Sequence, residues 1–486
     1  MDALAALRDR LAELADLSTL GHLAAWDQRA MMPPAGAPGR AHVMATLQRL
    51  SHDRAIAPEI GGWIEEIEAG AARDGGLSDL DADLVRVARR DWEESIRVPS
   101  DLAAELARAG AEGQSSWQSA RAASDFSAFA PALRHNIDLA RELAGHLGDG
   151  QRPYDALLSL YDHGLTAARI QEVFGRLAEV IPRLVEQAAI DPESPRLDVP
   201  VAAQQTAVAR ALARVGVTDD SWRVDVSTHP FTAWMGPRDT RLTTRYEDGQ
   251  LESVLAAMHE FGHGLYERQV APELERTNLG SGTSMSMHES QSKLWENHVG
   301  RHPAFAALIA ADLTDGGFAI EPARLQRTLE EVRPSLIRVS ADQMTYPLHI
   351  VLRFELELAL IEGVLDVADL PTAWNDGMRR LLGVEVPDDA SGVLQDVHWS
   401  AGAFGYFPSY ALGCVIAAQL WEALESDAGP QAEALAAGDA SAVGTWLGEH
   451  VHRFGRRLDT EPLLEQATGR GLDAEPFVRH LERLVP

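Results

Sequence analysis

The chain has 486 residues, 45% of them apolar, which is enough for a sizeable core in one large unit or up to about three ordinary domains. Its 43 Lys and Arg stand against 73 Asp and Glu, a formal charge of −30 that repels phosphate backbones and anionic lipid, so neither nucleic acid nor membrane is expected as a partner. One cysteine, Cys414, excludes a disulfide within the chain, and a charged amphipathic start with no apolar run near the ~20 residues of a membrane span makes the reducing cytoplasm the expected location.

Leu4, Leu7, Leu11, Leu14, Leu17 and Leu20 recur at helical spacing over residues 2–25, and the Pro- and Gly-rich run 31–39 ends that helix. Further helices are expected over about 41–52, 80–96, 99–122, 126–148 and 167–189. Trp26 and Asp27 fit either a contact to a site or a buried Trp beside a helix cap. Asp191-Pro192-Glu193-Ser194-Pro195-Arg196 reads as a loop and a lobe boundary, and a short helix over 201–215 ends at Gly216. The period then changes. Residues 222–226 alternate and 241–246 favour β structure, which predicts a small antiparallel sheet whose edge can hold an extended peptide.

A helix follows from Leu251, carrying His259-Glu260-Phe261-Gly262-His263. Imidazoles four residues apart lie on one face, ~5–6 Å apart at Cβ, so both can reach one metal ion. Glu260 points about 100° away, toward a water on the ion's open side; this is the pattern of zinc hydrolases. Leu251, Val254, Leu255, Met258, Gly262 and Leu265 form the expected buried stripe, with the histidines on its shoulder and Glu260 opposite. Satisfied core histidines would lie inside the stripe. Gly262 and Gly264 weaken a helix by ~1 kcal/mol each relative to Ala, so something must approach its backbone closely there. A third ligand is expected from the helix-compatible run 287–297, where spacing leaves Glu289, Glu296 and His288 open.

From about 304 to 383 the pattern is helical again, with Pro322 and Pro334 near helix starts and Pro347 bending or interrupting a helix. Residues 392–413, rich in Gly and aromatics, read as a loop wall beside a pocket, and helices near 414–426, 440–455 and 473–485 close the chain.

HEFGH followed by Met287–Asn297 resembles the thermostable, Taq-type carboxypeptidase family of zinc metallopeptidases (peptidase family M32). The likeness extends through Trp26-Asp27-Gln28, His229-Pro230-Phe231, Asp239–Tyr246, Ile337-Arg338 with Ala341-Asp342, Leu394–Trp399 and Phe404–Pro408, in the family's order. It implies a mainly α-helical, gluzincin-like fold over 1–486, a single peptidase domain with two lobes, a deep groove and the small antiparallel sheet beside the site. Residues 1–200 would form the N-terminal helical part and 201–486 the part with the metal site and substrate motifs. It selects Glu289 as the third ligand beside His259 and His263. Zinc is the implied metal, with cobalt or another divalent ion as a substitute. Glu260 would be the general base, with His398, Tyr406 and Tyr410 as oxyanion donors. Arg338 would read the substrate's free carboxylate, with Arg241 and Arg245 as runners-up and Asp342 or Asp396 orienting it. The implied reaction is release of C-terminal amino acids from peptides by a homodimer. An oligopeptidase cutting inside short peptides is the nearest rival; a helical scaffold with a structural metal is the other, and Glu260 argues against it. Gln343, Ser286 and Lys293 depart from the family's usual acidic residue, Gly and Arg, which leaves the surroundings of Arg338 and the substrate preference open.

Overall fold

The structure is a computed structural model and describes residues 2–74, 76–148, 150–188 and 197–485. The loop expected over 191–196 lies outside the described residues. The N-terminal leucine repeat forms α1 (Ala3–Ala30), capped by the Asp2 side chain, and the prolines beyond it separate α1 from α2 (Ala37–Ala55). The next helix, α3 (Pro58–Asp74), is one that the periodicity does not flag. Then come α4 (Asp79–Arg97), α5 (Ser100–Ala123), α6 (Phe126–Leu147), the short α7 (Pro153–Leu158), α8 (Ala167–Gln187) and α9 (Val201–Arg214).

Three strands follow: β1 (Trp222–Val226), β2 (Thr232–Trp234) and β3 (Thr240–Thr244). The sheet is mixed rather than antiparallel throughout. Its order is β1-β3-β2, with β1 parallel to β3 and β2 antiparallel to it. The cause is the segment between β1 and β2, which closes no hairpin. Ser227 Oγ lies 2.8 Å from Thr243 Oγ1, and Phe231 N donates to that hydroxyl at 2.8 Å. The chain is thereby led past β3, which takes the centre, and β2 keeps one free edge.

The rest is helical: α10 (Glu252–Arg268), α11 (Met285–Lys293) running into a π-helical turn (Leu294–Gly300), α12 (Pro303–Asp315), α13 (Pro322–Leu329), α14 (Tyr346–Ile361), α15 (Leu370–Leu382), α16 (Pro408–Ala428), α17 (Ala432–Ala436), α18 (Ser441–His450), α19 (Thr460–Thr468) and α20 (Glu475–Glu482). Pro322 opens α13, as its spacing predicts. Pro334 starts no helix. Pro347 sits in the first turn of α14, where its missing N–H is not needed, so it begins that helix instead of bending it.

Among the described residues three apolar clusters hold these elements. The largest runs from Ala120 of α5 through α20; a second joins α1, α3 and α4 to Val270, Leu274 and Leu279; a small third sets Leu102 and Ala109 of α5 against Leu139 of α6. A groove of about 1380 Å³ has Leu11, Leu14 and Trp26 of α1 on one side and β2, α10 and α11 on the other. Among the described residues no helix is long and apolar enough to cross a membrane.

Candidate active site

The centre of the groove is set by α10 and α11. Their closest approach is at Gly262, where an added Cβ would collide with the Gln291 carbonyl. On the far side of α11, Gly413 of α16 leaves no more room: a Cβ there would lie 2.7 Å from Glu289 Cβ. So α11 is pressed between two glycines, and Glu289 is carried to the histidines. Gly264 plays the same part toward the sheet, since its Cβ would meet Thr240 Cγ2 at 2.8 Å. The helix is buried on more faces than its apolar stripe predicts, Glu260 included, because sheet and helices cover it from several sides.

His259, His263 and Glu289 each offer one ligand atom, all within 4.8 Å of one another. The two Nε2 atoms each lie 3.9 Å from Glu289 Oε2, near the about 3.4 Å edge of a tetrahedron with ~2.1 Å metal bonds. Two imidazoles and one carboxylate suit a divalent ion with a position left open. The hydrogen-bond directions agree with this. His259 Nδ1 lies 2.9 Å from Glu296 Oε2, an acceptor, so Nδ1 carries the proton and the Nε2 lone pair is free. His263 Nδ1 lies 3.2 Å from His288 Nδ1, and His288 Nε2 lies 2.6 Å from Glu267 Oε1. A proton on His263 Nδ1 and another on His288 Nε2 satisfy that chain and again leave Nε2 of His263 free.

Glu296 reaches His259 from the π-helical turn, with Lys293 Nζ 2.8 Å away. Burial opposes its charge, but Lys293 and His259 hold the Glu296 carboxyl well below the usual carboxylate range. Glu267 also accepts from Ser281 Oγ at 2.9 Å and Gly282 N at 3.1 Å, which fixes the far end of the His263 chain. Glu260, 6% exposed, has Thr232 Oγ1 of β2 at 2.7 Å from its Oε2. Burial pushes its carboxyl up, against the pull of His259 and that hydroxyl.

Beside this centre stand the aromatic residues. Tyr406 and Tyr410 line the groove with the metal ligands, their rings 5.2 Å apart and edge to face. His398 Nε2 lies 3.3 Å from Tyr410 Oη, and burial lowers the His398 pKa to about 4, so it is neutral at pH 7. Arg338 packs 5.1 Å from the Tyr410 ring centre and gives Nε and Nη2 to Asp396 Oδ1 at 3.0 and 2.9 Å. Arg353 of α14, fully buried, gives its own Nε to the other oxygen at 2.7 Å. One carboxylate thus serves two guanidinium groups, and one positive charge is left over beside Tyr410.

Asp342, expected near Arg338 or a ligand, instead accepts from Arg333 N, Met344 N and Thr345 N, and closes a turn; Asp396 is the residue that orients Arg338. Arg241 is paired with Asp239 and stacked 4.1 Å from the Trp26 ring centre, and does not line the groove. Arg245 pairs with Glu247 at the surface. Cys414 is buried, with its Sγ toward the Tyr410 carbonyl. Residues that the motifs do not point to are Thr232, Glu267, Arg353 and Glu357. Arg353 and Glu357 do carry one signal, since with Glu355 they put three charges in a largely apolar helix.

Residues 6–485 match the family model described as carboxypeptidase Taq (M32) metallopeptidase. The chain is 39% identical to thermostable carboxypeptidase 1 of Thermus thermophilus, over 97% of this chain and 96% of that one. It is 33% identical to carboxypeptidase 1 of Bacillus subtilis, over 97% and 96%. The crystal structure of an M32 carboxypeptidase from Deinococcus radiodurans R1 superposes with a TM-score of 0.94 at 33% identity, covering 99% of this chain and 98% of that one.

Proposed function

The chain belongs to the carboxypeptidase Taq (M32) family of metallopeptidases, a peptide hydrolase, and from that premise we propose that it removes single C-terminal residues from peptides with His259, His263 and Glu289 holding zinc. Cobalt or another divalent ion is compatible with the same donors. The bound ion supplies Lewis-acid polarisation of the scissile carbonyl and a water pKa lowered to about 7.

The chain's own residues do the rest. The peptide lies along the free edge of β2, which lines the groove, and is held by main-chain hydrogen bonds. Glu260 takes the proton of the attacking water and delivers it to the leaving amine; its buried site raises its basicity for that task. Tyr410, its hydroxyl backed by His398 Nε2, presents its O–H to the oxyanion, with Tyr406 beside it. Arg338 meets the C-terminal carboxylate. The observation that carries this assignment is the charge excess of two guanidinium groups on Asp396, since an anion is what that excess attracts. Arg241 and Arg245 are runners-up, each already paired with a neighbouring acid.

The chain acts, in this reading, as one peptidase unit in a homodimer, as its relatives' family implies. Its buried lone cysteine fits the cytoplasm. A dipeptide-blocked substrate tests the exopeptidase assignment. With a free C-terminus it is cleaved, and with a C-terminal amide kcat/KM falls by roughly 10² or more, the worth of a charge-assisted pair. Arg338→Ala removes that discrimination chiefly through KM. Equal cleavage of both peptides by the unaltered enzyme overturns it in favour of an oligopeptidase.

A further inference from the structure

Glu357 stands on α14, fully buried, and has no part in the chemistry above. Its sequence neighbour at four residues' distance, Arg353, is bound to Asp396 instead. Three neutral donors hold the carboxylate. Tyr154 Oη and Gly405 N donate to Oε2 at 2.7 and 3.1 Å, and Trp399 Nε1 donates to Oε1 at 2.8 Å. Burying a carboxylate on such terms costs free energy that neutral donors return only in part, and burial raises its pKa to about 7.

What the carboxylate holds is informative. Trp399 follows His398, and Gly405 precedes Tyr406. Gly405 has φ +85, and a Cβ on it would meet the backbone of Leu157 at 2.9 Å, so the turn is wedged against α7. One side chain therefore fastens both ends of the turn that bears the wall's polar groups. Tyr161, just beyond the Tyr154 helix, places its ring edge to face with Tyr406 at 5.1 Å, which joins the same anchor to the groove.

We infer that Glu357 is a positioning residue for peptide hydrolysis: it fixes Trp399 and Gly405, and through them the places of Tyr406 on the groove wall and of His398 behind Tyr410. This rests on the reading of that wall as the oxyanion's donors. Two of the three donors, the indole N–H and the Gly405 N–H, can never accept a hydrogen bond. An amide at 357 must turn its NH2 group toward one of them. Glu357→Gln thus keeps the shape of the core and releases one end of the turn.

The test is a cycle of purified full-length variants, with kcat, KM, bound metal and thermal unfolding measured on each. Glu357→Gln is expected to lower kcat by on the order of tenfold to a hundredfold, with KM within about twofold and metal content unchanged. In a His398→Ala, Tyr406→Phe background the same change costs less than about twofold more, because the groups it positions are already gone. Adding Trp399→Phe to Glu357→Gln restores most of the loss measured against Trp399→Phe alone, since the amide NH2 then turns to the vacated side. Trp399→Phe by itself lowers kcat severalfold and serves if Glu357→Gln does not fold. A fall in melting temperature with kcat intact, or an equal loss in both backgrounds, overturns the inference. If Tyr410→Phe alone leaves kcat intact, the oxyanion reading falls and takes this inference with it. If Tyr410→Phe costs activity and Glu357→Gln does not, the inference alone falls.

Discussion

The two walls of the groove hold their functional groups by different means. On one, His259, Glu260, His263 and Glu289 stand on the regular helices α10 and α11, and each side chain's direction follows from its place in the turn. On the other, Tyr406 sits on a loop, and behind it, away from the residues that line the groove, Arg338 and His398 sit on short 3-10 turns; their directions are set by contacts from far along the chain. Gln395 accepts from Arg338 N at 3.0 Å, Asp396 holds the Arg338 side chain, and Glu357 holds the turn around His398. A helix wall keeps its geometry when one side chain loses its charge. A turn wall keeps it only while its anchors stay in place.

That contrast is open to direct attack. The largest effect is expected at Glu260→Gln: loss of about 10²–10⁴ in kcat, with metal content by atomic absorption unchanged because the helix does not depend on this carboxylate. If the metal were lost with the activity, the helix wall would be no sturdier than the other. A smaller effect is expected from Glu296→Gln, which weakens the partner of His259 Nδ1. Metal affinity, measured by competition with a chelator, should fall about 10–100-fold, while circular dichroism stays the same. The smallest belongs to Arg245→Ala, outside both walls, where kcat and KM should stay within about twofold in steady-state assays.

The same contrast governs what could be read from the sequence. Spacing alone gives the histidine pair and the helix under it, since an α-helix converts four residues into one face. It left three choices for the third ligand, and each has a place in the site. Glu289 faces the two Nε2 atoms, Glu296 backs His259 and His288 backs His263. Glu289 was singled out by family likeness, not by spacing. Seven residues apart on a regular helix, the two glutamates would share a face, but the chain from Leu294 winds as a π-helix and shifts Glu296 behind the ring. The β content was legible and its pairing was not, because a mixed order depends on how Ser227 and Phe231 bind Thr243. Arg353 and Glu357 are spaced like an ordinary surface ion pair, and only packing reveals that each is buried with other partners.

The two glycines that flank α11 carry a further consequence. Neither Gly262 nor Gly413 lines the groove, yet a single methyl at either would wedge neighbouring helices apart and translate Glu289 away from the imidazoles. The grip on the cation is encoded partly by atoms that are missing. Engineering that preserves every reactive group while varying those two hydrogens would dismantle the centre as surely as deleting a ligand.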